Sequence, residues 1–95
     1  MFYPFFEMDI VKQLSAYILA SRLRTGVLKA LYNGYRRQMQ IAKHCNKKQQ
    51  NISNALYQLE KKNLVECLTP EKKAWKIYRL TKLGKEVTEK ISDYS

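Results

Sequence analysis

Apolar side chains recur at helical spacing through most of the chain, most clearly between Ile41 and Val65. At about 100° per residue, Ile52, Ala55, Leu56 and Leu59 fall within one arc, while Gln50, Asn54, Tyr57 and Lys61 cluster on the opposite side. The spacing predicts a helix over about 49–62 with one buried face and one face suited to a polar partner. The pattern before it predicts a helix over about 38–45 that buries Met39, Ala42 and Cys45, with Ile41 at the edge. Asn46-Lys47-Lys48 breaks the two apart. Asn46 and Asn63 each follow a helix, where a residue that accepts left-handed backbone is expected.

Upstream, Ile10, Val11, Leu14, Tyr17 and Ile18 predict a first helix over about 8–20, with Asp9 placed where a negative charge suits the helix dipole. Leu23, Val27, Leu28, Leu31 and Tyr32 predict a second over about 21–33, capped by Ser21 and ended by Asn33-Gly34. Gly26 lies inside that pattern at a cost in helix stability. Tyr35 to Gln38 reads as a basic linker. Residues 1–7 set Phe2, Tyr3, Phe5 and Phe6 around Pro4 and read as a short extended segment. So much apolar surface either packs back on the domain or covers a partner subunit.

Downstream, alternation predicts a strand over about 64–68 and a returning strand over about 75–80, joined by the turn residues Thr69-Pro70-Glu71-Lys72-Lys73. Thr81 then caps a last helix over about 81–93, whose core face is Leu83, Val87 and Ile91.

Charge sharpens this picture. Eighteen Lys and Arg stand against eight Asp and Glu, a net charge of +10, which argues for a polyanionic partner. No carboxylate occurs from Ile10 to Leu59, whereas nine Lys or Arg residues fall in that interval. Ninety-five residues make one domain, small enough that a second subunit would help bury apolar surface. Cys45 and Cys67 form no C-x-x-C motif and read as reduced core thiols, and with a single His, His44, no zinc site or catalytic constellation assembles. Neither an enzyme nor a cofactor is expected. No apolar run spans a membrane, and the aromatic start lacks a basic segment and a cleavage site, so an intracellular, cytoplasmic protein is expected.

The run I-A-x-x-C-N followed by Q-Q-N-I-S-N-A-L-x-x-L-E-K-K-N-L-V resembles the helix-turn-helix core of winged-helix transcriptional regulators of the MarR/ArsR-like type. The hairpin and Leu80-Thr81-Lys82-Leu83-Gly84 resemble that family's wing and final helix, and Ser21 to Leu31 its opening helix. Two positions depart from the pattern: Lys47 stands where an apolar residue usually plugs the turn, and Gln38 where an apolar residue is common. A Lys stem can still lie over apolar surface with its charge in water.

The resemblance, which covers residues 21–91, implies a mainly α winged helix-turn-helix with a small antiparallel wing; length makes the chain a single domain over residues 1–95, and its apolar start makes 1–20 a dimerisation extension. The resemblance also implies a sequence-specific regulator on double-stranded DNA, acting as a homodimer, with the helix over 49–62 in the major groove and the wing over 69–76 on flanking backbone or minor groove. Gln50, Asn51 and Asn54 are then the candidate base readers, and their amides favour adenine. Backbone contacts are expected from Arg36, Arg37, Lys43, Lys47, Lys48, Gln49, Ser53, Tyr57, Gln58 and Lys61, with Lys72, Lys73 and Lys76 in the wing. Trp75 reads as a lid on the sheet edge or as a backbone contact, the lid being favoured. Phe2, Tyr3, Phe5, Phe6, Val11, Leu14 and Ile18 are the candidate dimer interface. Three rivals stay open from sequence: a winged helix that docks on a protein in a transcription or replication assembly, an architectural or viral DNA binder without sequence preference, and, more weakly because no aromatic stacking platform lies on the basic face, an RNA binder. The operator and any small-molecule effector are not legible in the residues.

Overall fold

The computed structural model describes residues 4–93, with side chains from Ile10 onward. The order of elements is α1 (Pro4–Leu19), α2 (Arg22–Leu31), β1 (Arg36–Arg37), α3 (Gln38–Cys45), α4 (Gln49–Lys61), β2 (Val65–Cys67), β3 (Ile77–Leu80) and α5 (Lys82–Ser92). This is the mainly helical winged-helix architecture that the resemblance implies, with two differences in its elements.

The first is at the N-terminus. Helix α1 starts at Pro4, not near Met8, so residues 4–7 are helical and not extended. Proline suits the first helical position, since its missing N–H would have no helical partner there and its φ is already helical. The aromatic residues Phe2, Tyr3, Phe5 and Phe6 lie outside the residues whose side chains are described.

The second difference is β1, which replaces the expected linker. Arg36 pairs with Tyr78 and Arg37 with Ile77, so the sheet has three antiparallel strands in the order β1-β3-β2. Two arginines carry no alternation to mark a strand; the pairing comes wholly from β3.

The caps follow local chemistry. The Ser21 hydroxyl accepts from Arg24 N–H at 3.2 Å, and the Thr81 hydroxyl from Gly84 N–H at 2.9 Å. Asn46 and Asn63 adopt positive φ, 54° and 61°, as their places after α3 and α4 demand. The core gathers Ile18, Val27, Leu28, Leu31, Ile41, Ile52, Leu56, Leu59, Leu64, Val65, Val87 and Ile91, all essentially inaccessible. Helix α5 packs along α1, and α2 packs on both α3 and α4.

Helix α3 corrects one expectation. Ile41 is fully buried, while Met39 is 52 % exposed. At 100° per residue the inward arc contains Ile41, Ala42 and Cys45, and Met39 falls on its flank. Gln38 falls inside that arc, half-buried, where its amide donates to Gln49 carbonyl at 3.4 Å. Tyr32 also departs from the expected core face of α2: it is exposed, and its hydroxyl donates to Glu89 of α5 at 2.7 Å. Gly26 lies where α2 meets α3, and a Cβ there would stand 3.4 Å from Cys45 Sγ.

Candidate nucleic-acid interface

Helix α4 presents the face that its spacing predicts. Ile52, Ala55, Leu56 and Leu59 are buried, and Gln50, Asn51, Ser53, Asn54, Tyr57, Gln58 and Lys61 are exposed. Along one row of that face Gln50 Nε2 donates to Asn54 Oδ1 at 3.3 Å. Farther along the row, Lys61 Nζ lies 5.1 Å from the centroid of the Tyr57 ring, which is 62 % exposed. The row therefore carries two amides, then an aromatic ring, then a cation, and no carboxylate. Asn51 and Ser53 flank it on either side.

The turn before α4 is closed by backbone. Asn46 takes the left-handed conformation and Lys47 N–H returns to Ala42 carbonyl at 3.0 Å, so α4 leaves at a fixed angle. Lys47, Lys48 and Gln49 are all exposed at the entry to α4. With Met39, Ala42, Lys43 and Asn46 they line an open groove of about 540 Å³. Its lining joins the apolar side chains of Met39 and Ala42 to three lysines. Burial pushes the thiol of neighbouring Cys45 up from its ordinary value, with the Lys47 charge pulling the other way. A half-buried thiol shifted in that direction stays protonated and poorly nucleophilic.

Two of the expected backbone contacts are engaged within the chain itself. Arg36 Nε donates to Ala30 carbonyl, turning the guanidinium over the C-terminal end of α2, where helix carbonyls have no helical partner. Gln58 Oε1 accepts from Arg24 Nε at 3.3 Å, and the same guanidinium donates to Tyr17 carbonyl at 3.0 Å and lies 3.9 Å from the Tyr17 ring centroid. Arg24 thereby ties the end of α1 to the flank of α4. Sequence reasoning does not single out Arg24, because its partners are brought together only by the packing of α1, α2 and α4.

Arg37, Lys43, His44, Lys72 and Lys73 are exposed, and Lys76 is half-buried. The wing loop is held by Leu68 N–H to Ile77 carbonyl at 2.7 Å and by Ile77 N–H to the Thr69 hydroxyl at 3.0 Å. Trp75 does not close over the sheet as a buried lid; it is 45 % exposed, with Arg37 and Lys72 both against its ring.

Among the expected subunit contacts, Ile18 is fully buried within the chain and has no area left to give a partner. Val11 and Leu14 are half-buried against the same core. No helix among the described residues is long and apolar enough to cross a membrane.

If Lys47 and Lys48 hold phosphates, replacing both with alanine is expected to weaken binding to any duplex. The dependence of log K on log salt should flatten by about 0.9 for each phosphate no longer neutralised. A titration across a salt series measures this, and an unchanged slope would remove both residues from the interface.

Several solved structures share the fold. NadR in complex with 4-hydroxyphenylacetate matches with a TM-score of 0.72 at 21% identity, over 90% of this chain and 65% of that one. The Staphylococcus aureus MepR–DNA complex matches with a TM-score of 0.70 at 23% identity, over 92% and 74%. Bordetella bronchiseptica BpsR, in a structure addressing regulation of its DNA binding by 6-hydroxynicotinic acid, matches with a TM-score of 0.73 at 16% identity, over 92% and 74%. The chain thus spans between about two thirds and three quarters of these proteins, and about half of Lactococcus lactis ZitR, 51% of whose chain it covers. No curated protein sequence matches the chain. The profile of the HxlR-like helix-turn-helix proteins matches residues 18–94, which takes in every element from the end of α1 to α5, and the chain belongs to that family.

Proposed function

We propose that the chain is a transcriptional regulator that binds double-stranded DNA sequence-specifically as a homodimer, with α4 in the major groove and the wing on flanking backbone or minor groove. The observation that carries this reading is the exposed row of α4, in which the paired amides of Gln50 and Asn54 stand free of carboxylates on a helix entered through two lysines. An ordinary solvated helix face supports itself with alternating Glu and Lys. A face that offers amides inside a basic field suits base edges flanked by phosphates. Family membership and the similarity to MepR, whose matched structure is a DNA complex, point the same way.

The dimer reading rests on α1 and α5, which pack side by side, with Leu19 left 42 % exposed at the end of α1. Two-fold symmetry would set two α4 helices about 34 Å apart, one turn of the duplex. A cytoplasmic setting follows from the same reading.

Selection of bound duplexes from a random library at near-physiological salt tests it. The expected winner is a palindrome with A·T pairs in half-sites one turn apart, bound about 10³-fold or more tighter than a scrambled duplex. Sedimentation should find two chains on each winner. Equal binding to both duplexes with a steep salt slope would leave an architectural DNA binder, and binding to neither would overturn the proposal.

A further inference from the structure

The single tryptophan of the chain is in an unusual place for so large an apolar ring. Trp75 is 45 % exposed, and two cations from different elements gather on it. The Arg37 guanidinium carbon lies 5.6 Å from the ring centroid and Lys72 Nζ 5.2 Å. The backbone fixes both approaches. Arg37 is the last residue of β1, opposite Ile77 of β3, and the next N–H, that of Gln38, donates to Lys76 carbonyl at 3.1 Å. Lys72 comes from the wing loop, where its own N–H closes a turn onto Thr69 carbonyl at 3.0 Å.

The ring attracts each cation through its quadrupole, but the two like charges repel one another. Among the described residues no carboxylate pairs with either of them. An anion brought to either cation relieves that repulsion, and side chains already held against the ring lose less freedom when the anion binds. Two cations brought to one ring from two elements offer more than one point of contact to a phosphate backbone, which carries many charges, whereas a lone carboxylate carries one.

We propose that Trp75 is a positioning residue, whose ring holds Arg37 and Lys72 as a pre-set pair of phosphate contacts on the duplex beside the half-site. The proposal rests on the DNA-binding reading above and adds to it a role for an uncharged residue. The edge strand β1 acquires a purpose here too, because it brings Arg37 within reach of the wing.

The test is a salt series on the full chain with a selected and a scrambled duplex, comparing wild type, Trp75→Phe, Trp75→Ala and the double variant Arg37→Ala, Lys72→Ala. The double variant should lower the slope of log K against log salt by about 0.9 for each phosphate no longer neutralised. Trp75→Ala removes no charge, yet it should flatten the slope in the same direction and weaken both duplexes by a similar factor, about tenfold. Trp75→Phe keeps a ring and should keep most of the slope. In the wild type, emission from Trp75 should change on adding either duplex, a readout that needs no substitution. A wild-type slope in Trp75→Ala, or emission that ignores DNA, would overturn the proposal and leave the DNA-binding reading intact. A loss confined to the selected duplex would overturn it in favour of base reading. Failure of the wild type to bind any duplex would bring down both.

Discussion

Alanine at Gly84 is expected to lower the melting temperature by about 12–24 °C. A Cβ built at Gly84 would stand 2.0 Å from Leu64 carbonyl oxygen and 3.0 Å from its carbon. Those are backbone atoms, and they cannot swing away as a side chain would. The same carbonyl accepts Thr81 N–H at 3.0 Å, while the Thr81 hydroxyl donates to Asn63 carbonyl at 2.7 Å and accepts from Gly84 N–H. Any shift that makes room for the methyl group therefore breaks the bonds that start α5. It also lifts Val87 and Ile91, both fully buried, from the core. Overpacking ordinarily costs about 1–3 kcal/mol. Loss of a helix cap adds about 1 kcal/mol, so about 3 kcal/mol is expected. For a domain of this size each kcal/mol moves the midpoint by about 4–8 °C. Thermal unfolding followed by circular dichroism measures the difference. Gly26→Ala is the comparator, because its Cβ meets only the movable Cys45 Sγ at 3.4 Å and gains helix propensity. Equal midpoints for the two variants would show that α5 does not sit against Leu64 as described.

Gly84 also illustrates what a sequence can and cannot reveal. Periodicity places Leu83, Val87 and Ile91 on the inner side of α5 without a structure, and Thr81 announces its cap. Nothing local shows that position 84 faces the carbonyl of a residue some twenty positions earlier. The pattern is sound wherever one element carries its own signal: the buried and exposed faces of α4, the left-handed asparagines after α3 and α4, and the capping serine and threonine. It fails where the signal belongs to a neighbour. Strand β1 exists because β3 lies beside it, and two arginines alone cannot announce that. Met39 reads as core because steps of three residues drift around a helix, and in a segment of only eight residues an apolar side chain one step off the true arc looks the same as one on it.

The candidate interface divides in the same way. The amide row of α4 and the lysines at its entry are legible, since they lie on one element in one turn-by-turn register. The fates of Arg36 and Gln58 are not, because an exposed polar residue in a basic stretch looks alike whether its partner is water, a phosphate or another part of the chain. Arg36 goes to a helix terminus and Gln58 to Arg24. Arg37 reads from sequence as a backbone contact, but its link to Trp75 crosses from β1 to the wing and emerges only once β1 and β3 are paired.

On a selected duplex, Gln50→Ala or Asn54→Ala is expected to cost about 1–3 kcal/mol, with little change on a scrambled one. The reason lies in their mutual bond. Gln50 Nε2 gives one proton to Asn54 Oδ1, which leaves Gln50 Oε1, its second amide proton and both protons of Asn54 Nδ2 for other partners. Adenine presents an acceptor at N7 and a donor at N6 in the major groove, the complement of an amide, and each amide steadies the other before any base arrives. Truncating either residue removes its own contact and also releases its partner. The two losses should therefore not add. Residues sharing a hydrogen bond typically couple by about 0.5–3 kcal/mol, so the double variant should lose less than the sum of the singles. A double-mutant cycle by fluorescence anisotropy, run at one fixed salt concentration, measures this directly. Simple addition would mean that the bond in the free protein gives way to separate contacts on DNA. Equal losses on both duplexes would move the amides from base edges to the backbone, and sequence reading would then have to come from Asn51.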